Sequence, residues 1–237
     1  MSHRSLASTA AALFGALALA PAVATAQQPI TLRVEGATHT VVKKSQVTPG
    51  QGSFSKDGDP AHACTASTAA GALETATGGS WGGSWSDGLG YFVQTIRGET
   101  HSGSPDFWSL WVNHRPSTTG VCQTEPEAGD DLLFLVDRCV FDAAKGACSN
   151  KPVLPLELRL PGRAATGTAV TVTVVAYDEK GKARPLAKAS VLRDGTWLGK
   201  TDGRGHFRLR LRSKAVTLTA LKRGYSRSEP VRATLGN

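Results

Sequence analysis

The residues that could carry chemistry are few and scattered. Gly78-Gly79-Ser80-Trp81-Gly82 matches the G-x-S-x-G form that presents a nucleophilic serine, but that elbow needs a strand before the serine and a helix after it. Here a helical stretch precedes the motif and a strand-forming one follows. The histidines at 39, 62, 101, 114 and 206 include no H-E-x-x-H and no close pair. His62 lies two residues from Cys64, and a thiol–imidazole pair would require that thiol to be free. Asp57 with Asp59, and Asp130 with Asp131, bring carboxylates together, too few for a calcium loop and well suited to turns. No catalytic residue, metal site or cofactor is assigned, and the protein is expected not to be an enzyme.

Four cysteines, at 64, 122, 139 and 148, are separated by 57, 16 and 8 residues with no C-x-x-C pair. That spacing is foreign to zinc sites and ordinary for disulfides in an oxidising compartment. Four cysteines allow three pairings and the sequence does not choose among them; the preferred one joins Cys64 to Cys122 and Cys139 to Cys148. Residues 1–26 supply a matching address, with basic His3 and Arg4, an apolar stretch over 6–20, and Ala24-Thr25-Ala26 as a small-residue cleavage site. The apolar run of about 15 residues falls short of the roughly 20 that cross hydrocarbon. A cleaved signal peptide is therefore expected, with a secreted or extracytoplasmic chain starting at Gln27 and no transmembrane segment after cleavage.

Binding groups are easier to find than catalytic ones. Gly78-Gly79-Ser80-Trp81-Gly82-Gly83-Ser84-Trp85 repeats a Gly-Gly-Ser-Trp unit and sets two large rings on a stretch expected to be a flexible loop, where aromatics stack on sugars or flat ligands. Trp81 and Trp85, joined by Tyr91 and Trp111, form the candidate ligand platform; the competing role for the loop tryptophans is cover for a small core. In residues 107–113, Trp108 alternates in phase with Leu110 and Val112 and is placed in the core, which leaves Trp111 at the surface. Arg204, Arg208, Arg210 and Arg212 share the outer face of one strand opposite Phe207, Leu209 and Leu211. Such a row makes a weak contact with anionic surface polymer or lipid headgroups, or guards an exposed edge from pairing. Nucleic acid is not an expected partner, because no aromatics interleave with these arginines.

The elements that must position these groups divide the chain in two. Residues 30–150 hold 8 Lys+Arg against 13 Asp+Glu, whereas 151–237 hold 18 against 6. All four cysteines and four of the five tryptophans lie in the acidic part. A net charge of +8 and 26 glycines in 237 residues exclude an acidic disordered chain and argue against a helical bundle. Two prolines at 148–155 mark a short stiff linker. The expected organisation is a signal peptide at 1–26, a disulfide-bonded domain at 27–150 and a basic domain at 151–237.

In the first domain residues 30–34 alternate as a strand, and 65–77 is the one helix, capped by Thr65 or Ser67 and ended by Gly78-Gly79. Further strands at 90–96, 107–113 and 132–136 make the domain α+β. In the second, strands at 169–177, 187–193, 206–211 and 215–221 alternate with turn signals at 178–181, 194–195 and 201–205, the pattern of an all-β sandwich.

Phe107-Trp108-Ser109-Leu110-Trp111-Val112-Asn113, Gly120-Val121-Cys122 and Ala128-Gly129-Asp130-Asp131-Leu132-Leu133-Phe134 resemble the recurring strand, step and final strand of the transcobalamin-like C-terminal domain family, over residues 30–140. The resemblance implies a β-grasp-like fold and, as the alternative function, a carrier for cobalamin or a corrinoid-like ligand. The sequence departs from the family in having no accompanying helical barrel, and His114 stands where the family often has glycine. Pro185-Leu186-Ala187-Lys188-Ala189-Ser190-Val191, Gly199-Lys200-Thr201-Asp202-Gly203-Arg204-Gly205-His206-Phe207 and Lys222-Arg223-Gly224-Tyr225 resemble the carboxypeptidase-regulatory, transthyretin-like β-sandwich or a related immunoglobulin-like module, which implies an accessory domain. The favoured expectation is an exported, non-enzymatic binding or adhesion protein at the cell surface. Its aromatic-loop domain would hold an extracellular ligand, and its basic sandwich would touch a surface polymer.

Overall fold

The structure is a computed structural model that describes residues 29–161, 168–210 and 215–234; the expected signal peptide and Arg212 lie outside the described residues. β-Branched and aromatic side chains make the described chain mostly strand. The first half contains Ile30–Glu35 (β1), Thr40–Val47 (β2), Ala69–Thr77 (α1), Trp81–Ser86 (β3), Gly90–Ile96 (β4), Asp106–Val112 (β5) and Asp131–Arg138 (β6), with two-residue strands between them. As expected, α1 is the one α-helix among the described residues.

A five-stranded sheet runs in the order β2, β1, β6, β5 and Arg115–Pro116. β1 and β6 are parallel and the other pairs antiparallel. The register sets Leu32 beside Leu132, Val34 beside Phe134, Phe134 opposite Leu110 and Val136 opposite Trp108. These residues share one face with Trp108 in the core, as alternation predicts, and Ala69, Ala70, Ala72 and Leu73 of α1 pack against it. A second, three-stranded sheet of β3, β4 and Glu99–Thr100 closes the same core.

The opposite face carries Arg33, Glu35, Leu133, Leu135 and Trp111. Val153 and Leu154, from the segment that joins the halves, pack on Trp111, Leu133 and Leu135. Trp111 is therefore 1 % exposed, which corrects its expected surface position. Alternation assigned it to the right face of the strand, and that face is covered by a second layer.

The helix begins at Ala69 instead of 65, because Cys64–Thr65 pairs with Ser53–Phe54 and the Ala66 N–H donates to Gly52. Neither expected cap is used. Thr68 is the N-cap residue, but its hydroxyl donates to the Thr65 carbonyl. The N–H groups of Ala69 and Ala70 instead donate to the carbonyls of Thr124 and Val121, at 2.8 and 3.0 Å, satisfying donors that a helix start leaves open. The Cys64–Cys122 disulfide ties that loop to the segment before the helix, and Cys139–Cys148 closes the hairpin of Phe141–Asp142 and Ala147–Cys148. Both preferred pairings are thus present. Gly78 ends the helix at φ 64°, the left-handed conformation that glycine adopts without a Cβ clash.

The second half contains Leu156–Arg159 (β7), Ala169–Tyr177 (β8), Ser190–Arg193 (β9), Thr196–Lys200 (β10), His206–Arg210 (β11), Ala215–Leu221 (β12) and Val231–Thr234 (β13). β8 pairs with β7, Ala183–Pro185 and β11 in one sheet; the other runs β10, β9, β12, β13. Val170, Val172, Val174 and Ala176 of β8 meet Val191, Val216, Leu218 and Ala220 of the other sheet in one apolar cluster. Asp202 accepts from the N–H groups of Arg204 and His206, which fixes the turn expected at 201–205.

The halves also touch through a turn. Asn113 and His114, at φ 49° and 65°, join β5 to Arg115–Pro116. Two left-handed residues in such a turn favour Asn-Gly, and a non-glycine residue there costs roughly 1–2 kcal/mol. The His114 ring lies 3.7 Å from Tyr177 of β8, tilted by 9°, and stacking of roughly 0.5–1.5 kcal/mol offsets much of that cost.

Burial of Trp111 gives a direct expectation. Trp111→Ala should lower the unfolding free energy by about 3–5 kcal/mol, read from urea denaturation. A loss below about 1 kcal/mol, the scale of a surface substitution, would show that the ring is not sealed beneath the linker.

Candidate functional site

The Gly-Gly-Ser-Trp repeat forms β3, antiparallel to β4, which corrects the expectation of a flexible loop. Gly83 is a packing requirement, since a Cβ there would lie 2.2 Å from the Phe92 carbonyl oxygen, whereas a Cβ on Gly82 would meet open space. Trp81 and Tyr91 are buried. Phe54, Trp81, Tyr91 and Trp85 form an edge-to-face chain with centroid separations of 6.2, 6.0 and 5.1 Å. Trp85 is partly buried and His62 stacks on it at 4.7 Å. Lys56 sets its ammonium 4.9 Å over Trp81 and 2.8 Å from Glu74. Of the expected platform, Trp81, Tyr91 and Trp111 are internal and Trp85 is occupied by His62, so the aromatic residues serve as core cover.

Beside this cluster Ser55, Asp57 and His62 resemble a hydrolytic triad only in composition. The Ser55 hydroxyl donates to Asp57 at 2.8 Å, and His62 Nδ1 lies 2.6 Å from the other carboxylate oxygen. The bonds to His62 and Ser55 hold the Asp57 carboxyl well below its ordinary range. A nucleophilic serine needs its hydroxyl on the imidazole; here both groups bind the carboxylate, and the hydroxyl of Tyr91 donates to it as well, at 3.0 Å. The cluster locks a turn. Cys64, the other expected partner for His62, is in a disulfide.

Arg204, Arg208 and Arg210 are exposed. Register places Arg208 opposite Thr171 and Arg210 opposite Ala169, and β11 pairs with β8 along one side only among the described residues. Arginines paired with carboxylates are Arg33, Arg138, Arg159, Arg184 and Arg227. The β11 row is not among them.

A further site lies where the halves meet, and sequence patterning did not indicate it. The ends of β1 and β6, Val153 and residues 221–227 surround a cleft of about 950 Å³. Glu35, 1 % exposed, accepts from the Thr40 hydroxyl at 3.1 and 3.0 Å and from Arg33 at 3.2 Å, with Arg227 at 3.7 Å. Arg227 also donates to the Thr38 carbonyl. Burial raises the Glu35 pKa and Arg33 opposes the rise. Its oxygens are fully used, and the group clamps the halves together.

Asp137 differs. It is 6 % exposed, and its Oδ1 accepts the N–H groups of Val153 and Arg138 at 2.8 and 2.7 Å. Its Oδ2 accepts no hydrogen bond from the described residues and meets solvent in the cleft. Burial raises its pKa above the ordinary 3.8. Arg138, 3.8 Å from Asp106, and Arg223, exposed and unpaired among the described residues, also line the cleft. Lys222 donates to the Ala187 carbonyl at 2.6 Å and lies 5.6 Å over the Tyr225 ring. The sequence held one signal for this site: Asp137 continues the phase of Leu133 and Leu135, so it is a charge on a face otherwise apolar. A second cavity, bounded by Tyr91, Trp108 and Val121, holds about 210 Å³, below the roughly 300 Å³ of small-molecule sites.

Comparison with known proteins returns no matching family model, curated protein or solved structure.

Asp137 makes a pH-dependent contribution with a definite sign. A carboxyl whose pKa rises on folding contributes its full stability below the unfolded value and loses it as pH climbs through the folded value. Asp137→Asn keeps the Oδ1 acceptor and removes the charge. The variant should gain stability relative to the wild type as pH rises from about 4 to 7, measured by thermal unfolding; parallel pH profiles would contradict the burial of this charge.

Proposed function

We propose that the chain is an exported, non-enzymatic binding protein that attaches to an anionic surface polymer through the arginines of β11, with a β-grasp-like first half and a β-sandwich second half. The observation that carries this reading is a row of exposed cations without acidic partners among the described residues. Arg208 and Arg210 are alternate residues on a strand, so their backbones are roughly 6.6–6.8 Å apart, and the row meets repeated charges along a polymer better than one isolated anion. The basic balance of residues 151–237 adds a longer-range attraction.

Two disulfides suit an oxidising compartment, and among the described residues no helix is long and apolar enough to cross a membrane. The corrinoid-carrier alternative rests on the family resemblance and gains no residue from the aromatic set, which is spent on packing.

Dextran sulfate provides the test polymer. Chain 27–237 should be retained and released by salt, as screened ionic contacts require. Arg208→Ala/Arg210→Ala should weaken binding roughly tenfold, since each exposed pair contributes up to about 1 kcal/mol. Unchanged salt elution of the double variant, with its fold intact by circular dichroism, would remove the arginine strand from the interaction.

A further inference from the structure

We propose that the anionic polymer held by the arginines of β11 is a polysaccharide, and that Trp197 of β10 stacks on one of its sugar rings. This inference rests on the polymer attachment proposed for β11 and names the class of polymer.

Trp197 is the one exposed tryptophan, with 59 % of its surface in solvent. Trp81, Trp85 and Trp108 each meet another ring, and Trp111 is buried beneath the linker. β10 is an edge strand, paired with β9 alone among the described residues. Register sets Trp197 opposite Leu192 and Leu192 opposite Thr219, so the three share one face of the sheet. Val191, next to Leu192, is buried in the core, which makes that face the outer one. Burial of large apolar side chains is a main source of stability, and the fold makes little use of this ring.

The strand that carries the ring lies beside the arginine strand. β10 and β11 are edge strands of opposite sheets, joined by residues 201–205, and a Cβ on Gly199 would fall 2.6 Å from the Phe207 ring. From that contact Trp197 is two residues along β10 and Leu209 two residues along β11, each roughly 6.6–6.8 Å away. Arg208 and Arg210 flank Leu209. The ring and the arginines therefore lie at a similar distance from the turn, on either side of one open edge of the sandwich. Lys200 and Arg204 are exposed and carry positive charge round that edge. The carboxylates of the adjoining turns, Asp194 and Asp202, accept the backbone N–H groups of Thr217, Arg204 and His206.

A sugar ring has an apolar C–H face that an aromatic ring can cover and a rim of hydroxyls that stays polar. The Thr219 hydroxyl and the unpaired side of β10 suit such a rim. A lipid surface or a protein interface takes a cluster of apolar side chains, and Trp197 is the one exposed large apolar side chain of the second half among the described residues. Charge complementarity then selects an anionic polysaccharide over a neutral one.

The test compares dextran sulfate with poly(vinyl sulfate), which carries the same anionic groups on a backbone without sugar rings. Chain 27–237 should bind both. Trp197→Ala should weaken binding of dextran sulfate roughly three- to tenfold, the scale of one aromatic stack, and leave poly(vinyl sulfate) unchanged. Trp197→Phe should recover part of the loss. Dextran sulfate binding as tight in Trp197→Ala as in the wild type, or an equal loss toward both polymers, would overturn the sugar contact and leave the arginine contact standing. Failure of the polymer attachment is distinct: Arg208→Ala/Arg210→Ala would then bind both polymers as the wild type does, and this inference would fall with it. A free chain that sediments as a dimer, and that Trp197→Ala dissociates, would assign the ring to a second copy and overturn the proposal as well.

Discussion

Residues 132–136 of β6 are apolar at every position, so both faces of the five-stranded sheet must be kept from water. Leu132 and Phe134 are covered by α1 and the smaller sheet. Leu133 and Leu135, with Trp111 beside them, are covered by Val153 and Leu154. Full burial of one such side chain contributes about 1.5–3 kcal/mol, whereas an exposed ion pair contributes about 1 kcal/mol or less. The apolar cover therefore decides that the second half lies against the first. The polar contacts at the junction, from Glu35 with Arg227 to His114 with Tyr177, fix how it lies there.

The cleft follows from that arrangement. Covering the outer face of the sheet brings the turn after β12 against the ends of β1 and β6, and the polar residues at those ends lose water. Glu35 is compensated by three side chains. Asp137 is held on one oxygen by two backbone N–H groups, and its other oxygen meets solvent in the cleft. The arginines of β11 are exposed and have no carboxylate partner among the described residues.

Much of this fold could be read from the sequence where alternation was strong. Gly90–Ile96, Ala169–Tyr177 and Ala215–Leu221 occur with the expected bounds, because their side chains face a core on one side with a period of two. Trp81–Ser86 escaped because its glycines and serines carry almost no strand propensity; the strand exists through its pairing with β4, a long-range contact that local patterning does not report. Thr40–Val47 escaped as well, for only Val42 and Val47 in it are buried. Trp111 shows a different limit. Its face was legible, but the cover on that face was not inferred, although the unbroken apolar run in β6 is the signature of a strand buried on both sides. The cleft escaped because it brings the ends of β1 and β6 against residues 221–227, far away in sequence, and only Asp137, out of keeping with its apolar face, marked it.

One shared apolar layer, Val153 and Leu154 on Trp111, Leu133 and Leu135, should make the two halves a single folding unit. Scanning calorimetry of chain 27–237 tests it most directly. The account predicts one transition, with calorimetric and van't Hoff enthalpies equal. Two separate transitions, one for each half, would show that the halves fold independently and that the layer around Trp111, Leu133 and Leu135 does not join them.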